Sequence, residues 1–211
     1  MVTSMIYKIK FKKKQNLTSD KGVKVTYKKG DTAKATKKVK GGWVVLLSDG
    51  SKASVKRTSF IFKKQYTDMS KKYDKTTAEN FINSLGTKSD TEYLFWCNKY
   101  TQYVYIFKGK AKAWTLVKRF HCTTGSIAKG QGSDTKQSFS KKIYDKNKVF
   151  KGPYGNQYYN MHFSSLHGNS IHKRAGAKNG LPLTHGCIGM AKTGIMWVFN
   201  NVPINTRVVV F

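Results

Sequence analysis

Acidic residues are scarce. Of 211 residues only ten are Asp or Glu, against forty Lys and Arg, for a net charge of +30. From Lys146 to Phe211 there is no Asp or Glu at all. Any chemistry in that stretch runs without a local carboxylate, which excludes a paired-carboxylate hydrolase and a hard-cation site built of carboxylates there. Cysteine is also sparse. Cys97, Cys122 and Cys187 are odd in number, widely spaced and without a CxxC pair, so neither a zinc ribbon nor a disulfide scaffold is indicated. At least one thiol is free unless it pairs between chains. A chain of 211 residues buries enough apolar surface to need no disulfide. No apolar run of roughly 18 residues exists, so no transmembrane helix is expected. The start, "MVTSMIYKIKFKKK", is basic but lacks the apolar core and small-residue cleavage site of a signal peptide.

The basic residues that are present spread along the chain. Residues 1–66 carry 18 basic and 3 acidic residues, residues 67–86 carry three of each, and residues 87–211 carry 19 and 4. Such a field draws polyanions and raises their encounter rate. Nucleic acid, an anionic membrane and an anionic cell-wall polymer all answer to it, and so does a Lys-rich solvated surface with no partner.

Residues 22–62 read as short strands and turns. "GVKVTY" and "TAKATKKV" alternate, "WVVLLS" is apolar, and "KKGD", "KGGW" and "SDGS" punctuate them. This is the signature of a small β-barrel. Through "GGWVVLLSDGSKASV" it resembles a bacterial Src-homology-3-like module, expected over residues 1–66. Residues 67–86 form a helical linker: Thr76 or Thr77 caps a helix running through Glu79, Phe81, Ile82 and Leu85 to Gly86. From Thr91 the period of two returns. "YLFWCNKYTQYVYIFKGKAKAWTLVKRFHCTTG" holds three strand-like runs, a meander and not a βαβ unit. Ile195, Val198, Phe199 and Val202 are spaced for one amphipathic helix ending before Pro203, and "TRVVVF" is a closing buried strand. Cys97 and Cys122 sit in strand-like runs as small buried apolar residues. The tryptophans read as core aromatics, with Trp96 or Trp114 as a conceivable sugar platform.

Cys187 is the candidate nucleophile. It lies in "GLPLTHGCIGM", between glycines that let the backbone fold around sulfur and turn N–H groups toward a reacting carbonyl. A thiolate needs a base or a positive neighbour. Four of the five histidines, His162, His167, His172 and His185, fall in the stretch that ends at Cys187. His167, in "SSLHGNS", stands at a strand end before a glycine. A zinc site from His167, His185 and Cys187 is chemically possible, but its spacing is unusual for closed sites.

"LHG" at 166–168 followed by "LTHGCIGM" at 183–190 resembles the L,D-transpeptidase catalytic domain (YkuD type). "NKYTQYVYIFKGKAKAWTLVKRFHCTTG" is similar to that family's opening hairpins, and "IMWVFNNVPINTRVVVF" to its closing helix and strand. The resemblance covers about residues 78–211, with the catalytic domain proper over 87–211. It implies a mainly β, sandwich-like fold with one C-terminal helix. It also implies a cysteine acyltransferase that cross-links peptidoglycan stem peptides through a thioester. Cys187 would be acylated and His167 would be the general base. The backbone carbonyl of Gly168 would orient the imidazole, so no acid is needed. His185 and Gly186 would shape the nucleophile turn and, with the Cys187 N–H, bind the oxyanion. Thr184 would support that turn. Tyr158 to His162 would line the cleft, and Gly189 and Arg174 would stand where substrate binds.

Three departures bear on substrate choice. Gly189 replaces the family's Arg or Asn, a loss that Arg174, Lys173 or Lys192 could make good. "GSDTKQSFSK" replaces the Thr-Pro-x-Gly stretch. The 162–183 loop is rich in histidine and basic residues. No cofactor and no metal are expected. The partners implied are peptidoglycan stem peptides and anionic wall polymers, with no nucleic acid, and the place implied is the extracytoplasmic wall. Alternatives are an L,D-carboxypeptidase or related cysteine hydrolase on the same substrate, and a non-catalytic polyanion-binding protein.

Overall fold

The computed structural model describes residues 6–66, 72–126, 134–164, 168–175 and 181–211. The chain divides into two units, Met1–Thr67 and Asp68–Phe211.

Unit 1 is an antiparallel sheet of five strands in the order β6-β5-β4-β1-β7, with β2 and β3 as a separate ribbon. The strands are β1 (Ile6–Phe11), β2 (Gln15–Thr18), β3 (Lys24–Tyr27), β4 (Thr32–Val39), β5 (Gly42–Leu46), β6 (Lys52–Lys56) and β7 (Phe60–Tyr66). Alternation decides which face is buried. Ile9, Phe11, Ala35, Val45, Ala53 and Val55 point inward. Tyr7, Trp43 and Phe62 meet there edge to face, with centroids 4.9 to 5.3 Å apart.

Unit 2 holds a nine-stranded sheet in the order β11-β16-β8-β9-β10-β15-β14-β13-β12. Its strands are β8 (Tyr93–Asn98), β9 (Tyr103–Lys110), β10 (Ala113–Thr123), β11 (Ser138–Lys142), β12 (Asp145–Gly152), β13 (Gly155–Ser164), β14 (Asn169–Lys173), β15 (Ile188–Met190) and β16 (Arg207–Val210). The sheet curls, so that β11 at one edge also touches β13 near the other. Phe95, Val104, Ile106 and Cys122 thus face Met161, Phe163, Ile171 and Ile188 across one core, which α2 (Lys192–Asn201) completes with Ile195 and Val198. The meander, the C-terminal helix and the closing strand stand where the apolar spacing put them. Cys97 and Cys122 are fully buried thiols with sulfurs 3.9 Å apart. Burial and the neighbouring sulfur push the Cys122 thiol well above its ordinary range.

The helix expected in the linker has a structural role in unit 2. α1 (Lys75–Ser84) buries Ala78 and Ile82 against Trp96, Tyr105 and Trp114, on the opposite face of the sheet from the main core. Over most of its length β10 has β9 on one side only, since β15 pairs just with Cys122 and Thr123. The helix covers the bare edge. Asn83 Oδ1 accepts from Trp114 N at 2.7 Å, Asn83 Nδ2 donates to Trp114 O at 3.0 Å, and Glu79 Oε1 accepts from Leu116 N at 2.7 Å. These are the backbone groups that an open edge would leave unsatisfied. The N-cap is Asp74, not Thr76 or Thr77: its carboxylate accepts from Thr77 N at 2.7 Å. Trp96 and Trp114 are 0% and 2% exposed, which removes both as sugar platforms. No described helix is long and apolar enough to cross a membrane.

Candidate active site

β15 is the shortest strand of unit 2 and the most enclosed. It runs antiparallel to β10, with Thr123 opposite Gly189, and parallel to β14, with Ile171 opposite Ile188. The turn Thr184–Cys187 feeds it. Thr184, 2% exposed, holds that turn from within. Its hydroxyl donates to Cys187 O at 2.6 Å and accepts from Gly186 N at 3.2 Å. Its backbone is tied to the end of β10: Leu183 N and Thr184 N both donate to Thr124 O at 3.0 Å. Gly186 has φ +120, and a Cβ there would lie 2.7 Å from Asn169 Oδ1. Glycine is therefore required on two counts, conformation and space. Thr135 secures the same residue by donating to Gly186 O at 2.8 Å and accepting from Gly125 N at 2.7 Å.

The Cys187 thiol at the end of this turn is half-buried. Its sulfur lies 3.8 Å from Ser170 Oγ. Ser170 is itself held in a polar group: its hydroxyl donates to Gln157 Oε1 at 2.9 Å and accepts from Asn160 Nδ2 at 2.8 Å. Asn160 Nδ2 also donates to Gln157 Oε1. With its proton directed at Gln157, Ser170 offers the sulfur a lone pair. A small rotation would offer a thiolate the proton instead. Ser170 and Gln157 are functional candidates that sequence reasoning missed, and Asn160 falls within the Tyr158–His162 stretch expected to line the cleft without having been singled out. The only trace of them in the chain is their place on strands flanking the Cys187 turn.

The predicted site residues divide by position. Cys187, Gly186, Thr184 and Gly189 share one turn and strand. Gly168, at φ +57, stands just before β14, the strand parallel to β15. His167 lies outside the described residues. His185 is exposed and stacks on Tyr154, with centroids 4.6 Å apart and planes at 15°. Tyr154, at the tip of the β12–β13 hairpin, is a further residue the sequence did not announce. Tyr158 is half-exposed with Lys173 Nζ 5.2 Å from its ring centroid.

His162 is packed, not open. Its ring sits between Tyr144 and Phe150, at 5.9 and 4.5 Å, and Nδ1 lies 3.3 Å from Asp145 Oδ2. The strand register that pairs Asp145 with His162 thus brings the last carboxylate of the chain to this sheet. His172 is buried, and its Nδ1 meets Lys173 O at 2.9 Å. Burial lowers its pKa, opposed by the Lys173 O hydrogen bond and aided by the charges of Arg174 and His162.

Arg174 is brought directly over Gly189. A Cβ on Gly189 would lie 2.7 Å from Arg174 Cβ, 2.8 Å from its Cδ and 2.8 Å from Thr123 Cγ2. The missing side chain at 189 is the socket for the arginine stem. Arg174 Nη2 donates to Leu183 O at 3.0 Å, and Arg174 N to Met190 O at 2.8 Å, so one residue holds the chain on both sides of Cys187. Next to the turn, a cleft of about 430 Å³ is lined by Lys136, Phe139, Lys141, Phe163, Ser164 and Asn169. Asn169 is the residue that abuts Gly186. No cluster of His, Cys, Asp and Glu fit for a metal occurs among the described residues.

The family of L,D-transpeptidase catalytic domains (YkuD) matches residues 92–210. Among solved structures, a fused Zn-dependent amidase/peptidase/peptidoglycan-binding domain-containing protein from Clostridium acetobutylicum is 22% identical, over 65% of this chain and 59% of that one, with a TM-score of 0.52. An L,D-transpeptidase from Stackebrandtia nassauensis is 16% identical, over 61% of this chain and 59% of that one, with a TM-score of 0.50. The chain therefore spans about three fifths of each of these proteins, and at such identities the likeness is one of fold. No curated protein matches.

Proposed function

The chain belongs to the L,D-transpeptidase catalytic-domain family, and from that premise we propose that it is a cysteine acyltransferase acting on peptidoglycan stem peptides. The observation that carries this reading is the Cys187 thiol. It is half-buried at the end of a turn clamped by Thr184, with the Ser170 hydroxyl 3.8 Å from its sulfur.

His167 is the base in this reading. It immediately precedes Gly168 and β14, and β14 runs beside β15 in parallel. The imidazole takes the thiol proton. The thiolate attacks the carbonyl carbon of the L,D amide bond, and backbone N–H groups around Gly186 and Cys187 meet the developing oxyanion. On collapse the C–N bond breaks, and the imidazolium returns its proton to the departing D-residue amine. A thioester remains on Cys187. An acceptor amine then attacks the thioester and gives its proton to His167, forming the cross-link and releasing the thiol. Water in place of the amine yields the shortened stem. Gly168 O orients the imidazole, so the scarcity of acids costs the mechanism nothing.

Arg174 fills the role that a glycine at 189 cannot. Its stem occupies the Gly189 socket, and its guanidinium holds the loop before Thr184. The positive charge stands near the turn for a stem carboxylate. The cleft beside Asn169 and the Tyr154–His185 pair flank the approach, and the cleft offers Lys136 and Lys141 to an acidic peptide. Unit 1, an antiparallel five-stranded sheet with an accessory ribbon, fits a small wall-binding module of the Src-homology-3-like kind, and the protein works outside the cytoplasm.

The test is incubation with purified disaccharide-tetrapeptides, read by mass spectrometry, for wild type and Cys187→Ala. A Cys187-dependent dimer with loss of one terminal D-residue supports the transpeptidase. A Cys187-dependent tripeptide alone makes it a carboxypeptidase. Equal turnover by Cys187→Ala sinks the reading.

A further inference from the structure

The outward face of the unit 1 sheet carries charge without compensation. Lys8 on β1 stands directly opposite Lys34 on β4, Lys34 opposite Leu46 on β5, and Leu46 opposite Lys52 on β6. Residues directly opposite share a face, and neighbouring strands lie about 4.8 Å apart. One transverse row across four strands therefore presents three exposed lysines. Period-two alternation adds Lys10 on β1 and Lys56 on β6, and Lys37 faces Val44 on the same side. Like charges directly opposite on a sheet destabilise it.

Among the described residues of the unit no ion pair offsets this. Its carboxylates accept from backbone and hydroxyl groups: Asp20 Oδ1 from Lys52 N on β6 at 2.9 Å, Asp31 Oδ2 from Lys28 N at 2.7 Å, and Asp49 Oδ1 from Ser51 N at 2.9 Å and Ser51 Oγ at 2.6 Å. Every ion pair found among the described residues lies in unit 2.

The character of the face narrows the occupant. Its cations are lysines, which meet phosphate as point charges and not as the planar fork of arginine. Arg57, the one arginine of the unit, is turned to its own chain: it donates to Phe60 O at 3.0 Å and lies over the Phe60 and Phe62 rings. The described aromatic rings are paired with one another away from this face, Tyr7 with Trp43 and Phe62, and Phe11 with Tyr27. Among the described side chains, this face has no platform on which bases could stack, as single-stranded nucleic acid would use. We infer that this face docks a linear phosphodiester polymer that lacks bases, of the polyol-phosphate kind. Binding runs by release of counterions along the lysine row and falls steeply with salt.

This inference does not depend on acyl transfer, and Cys187→Ala binds the polymer as wild type does. The probe is purified poly(glycerol phosphate), titrated into the full chain at three NaCl concentrations. Wild type is compared with Lys8→Gln/Lys34→Gln/Lys52→Gln. A control of equal charge loss removes exposed unit 2 lysines, Lys110→Gln/Lys112→Gln/Lys148→Gln. The first triple variant should bind at least about tenfold more weakly at 0.1 M salt, with a shallower salt dependence, while the control changes less than about threefold. Circular dichroism and the melting midpoint check that both remain folded. Equal weakening in the two triple variants would mean net charge alone and overturns the docking face. Tighter binding of duplex DNA, or of phosphatidylglycerol vesicles, at equal phosphate concentration overturns the choice of polymer.

Discussion

In unit 1 Asp31 and Asp49 close turns and Asp20 accepts from Lys52 N on β6, and no ion pair occurs among its described residues. In unit 2, Asp90, Glu92 and Asp134 each pair with a lysine, Glu79 pairs with Lys75 while accepting from β10, and Asp145 meets His162. The two regions have nearly the same net charge and use it differently. Unit 2 sets its ion pairs among strands, loops and α1 and holds the Cys187 turn through hydroxyl–backbone bonds. Unit 1 leaves a row of lysines facing outward. The contrast suggests a division of labour, with chemistry placed where charge is compensated and adhesion where it is not.

That division can be broken experimentally. The largest effect is expected at Cys187. Cys187→Ala should lower turnover by at least about a thousandfold and leave polymer retention untouched; a parallel loss of both would erase the distinction between the units. Next is Ile82→Ala, which empties a fully buried site under α1. It should destabilise unit 2 by about 3 kcal/mol, read as an earlier melting transition with the polymer affinity of unit 1 unchanged. No change in melting would return α1 to the status of a linker.

Smaller effects refine the site. Arg174→Ala should lower kcat/KM by about ten- to a hundredfold, as should Gly189→Ala, whose Cβ would displace the Arg174 stem. Because both act through one guanidinium, the double variant should be little worse than Arg174→Ala alone. Additive losses would separate the two residues. Arg174→Lys distinguishes charge from geometry, since lysine restores the first only.

The smallest expected effect is on pH dependence. The folded pKa of His172 lies below its unfolded value near 6.5. The unfolded chain therefore binds more protons on acidification, and unit 2 loses stability as pH falls below about 6.5. A His172→Gln variant should flatten that decline between about pH 7 and 5, as read by denaturant midpoints. An unchanged slope would assign the decline to another group.

Much of the fold is legible in the chain because it rests on local alternation. The strands of the meander, α2 with Ile195 and Val198, and the buried closing strand all follow from spacing of apolar residues. What stayed hidden depends on distant contacts. In "DKTT" three of the four residues can each cap a helix, and the choice of Asp74 is visible only once Ala78 N is seen to donate to Asp74 O. The purpose of α1 lies in β10, more than thirty residues on, whose bare edge Asn83 and Glu79 satisfy.

The Cys187 turn is legible because glycines, threonine and cysteine must be contiguous to make it. The group around Ser170 is assembled from three strand positions with no shared signature, and the Tyr154–His185 stack joins a hairpin tip to a turn thirty residues later. Gly189 reads in the sequence as a loss. In the folded chain it is the space that Arg174 occupies.

The most direct test of the account is the covalent state of Cys187 during turnover. Wild-type protein mixed with a disaccharide-tetrapeptide and quenched in acid should show, by intact mass and peptide mapping, one acyl adduct of the substrate less its terminal D-residue. It should sit on the peptide containing Cys187, and should be absent from Cys187→Ala. Turnover without that adduct, or an adduct mapped to Cys97 or Cys122, would contradict the assignment of Cys187 as the acylated nucleophile.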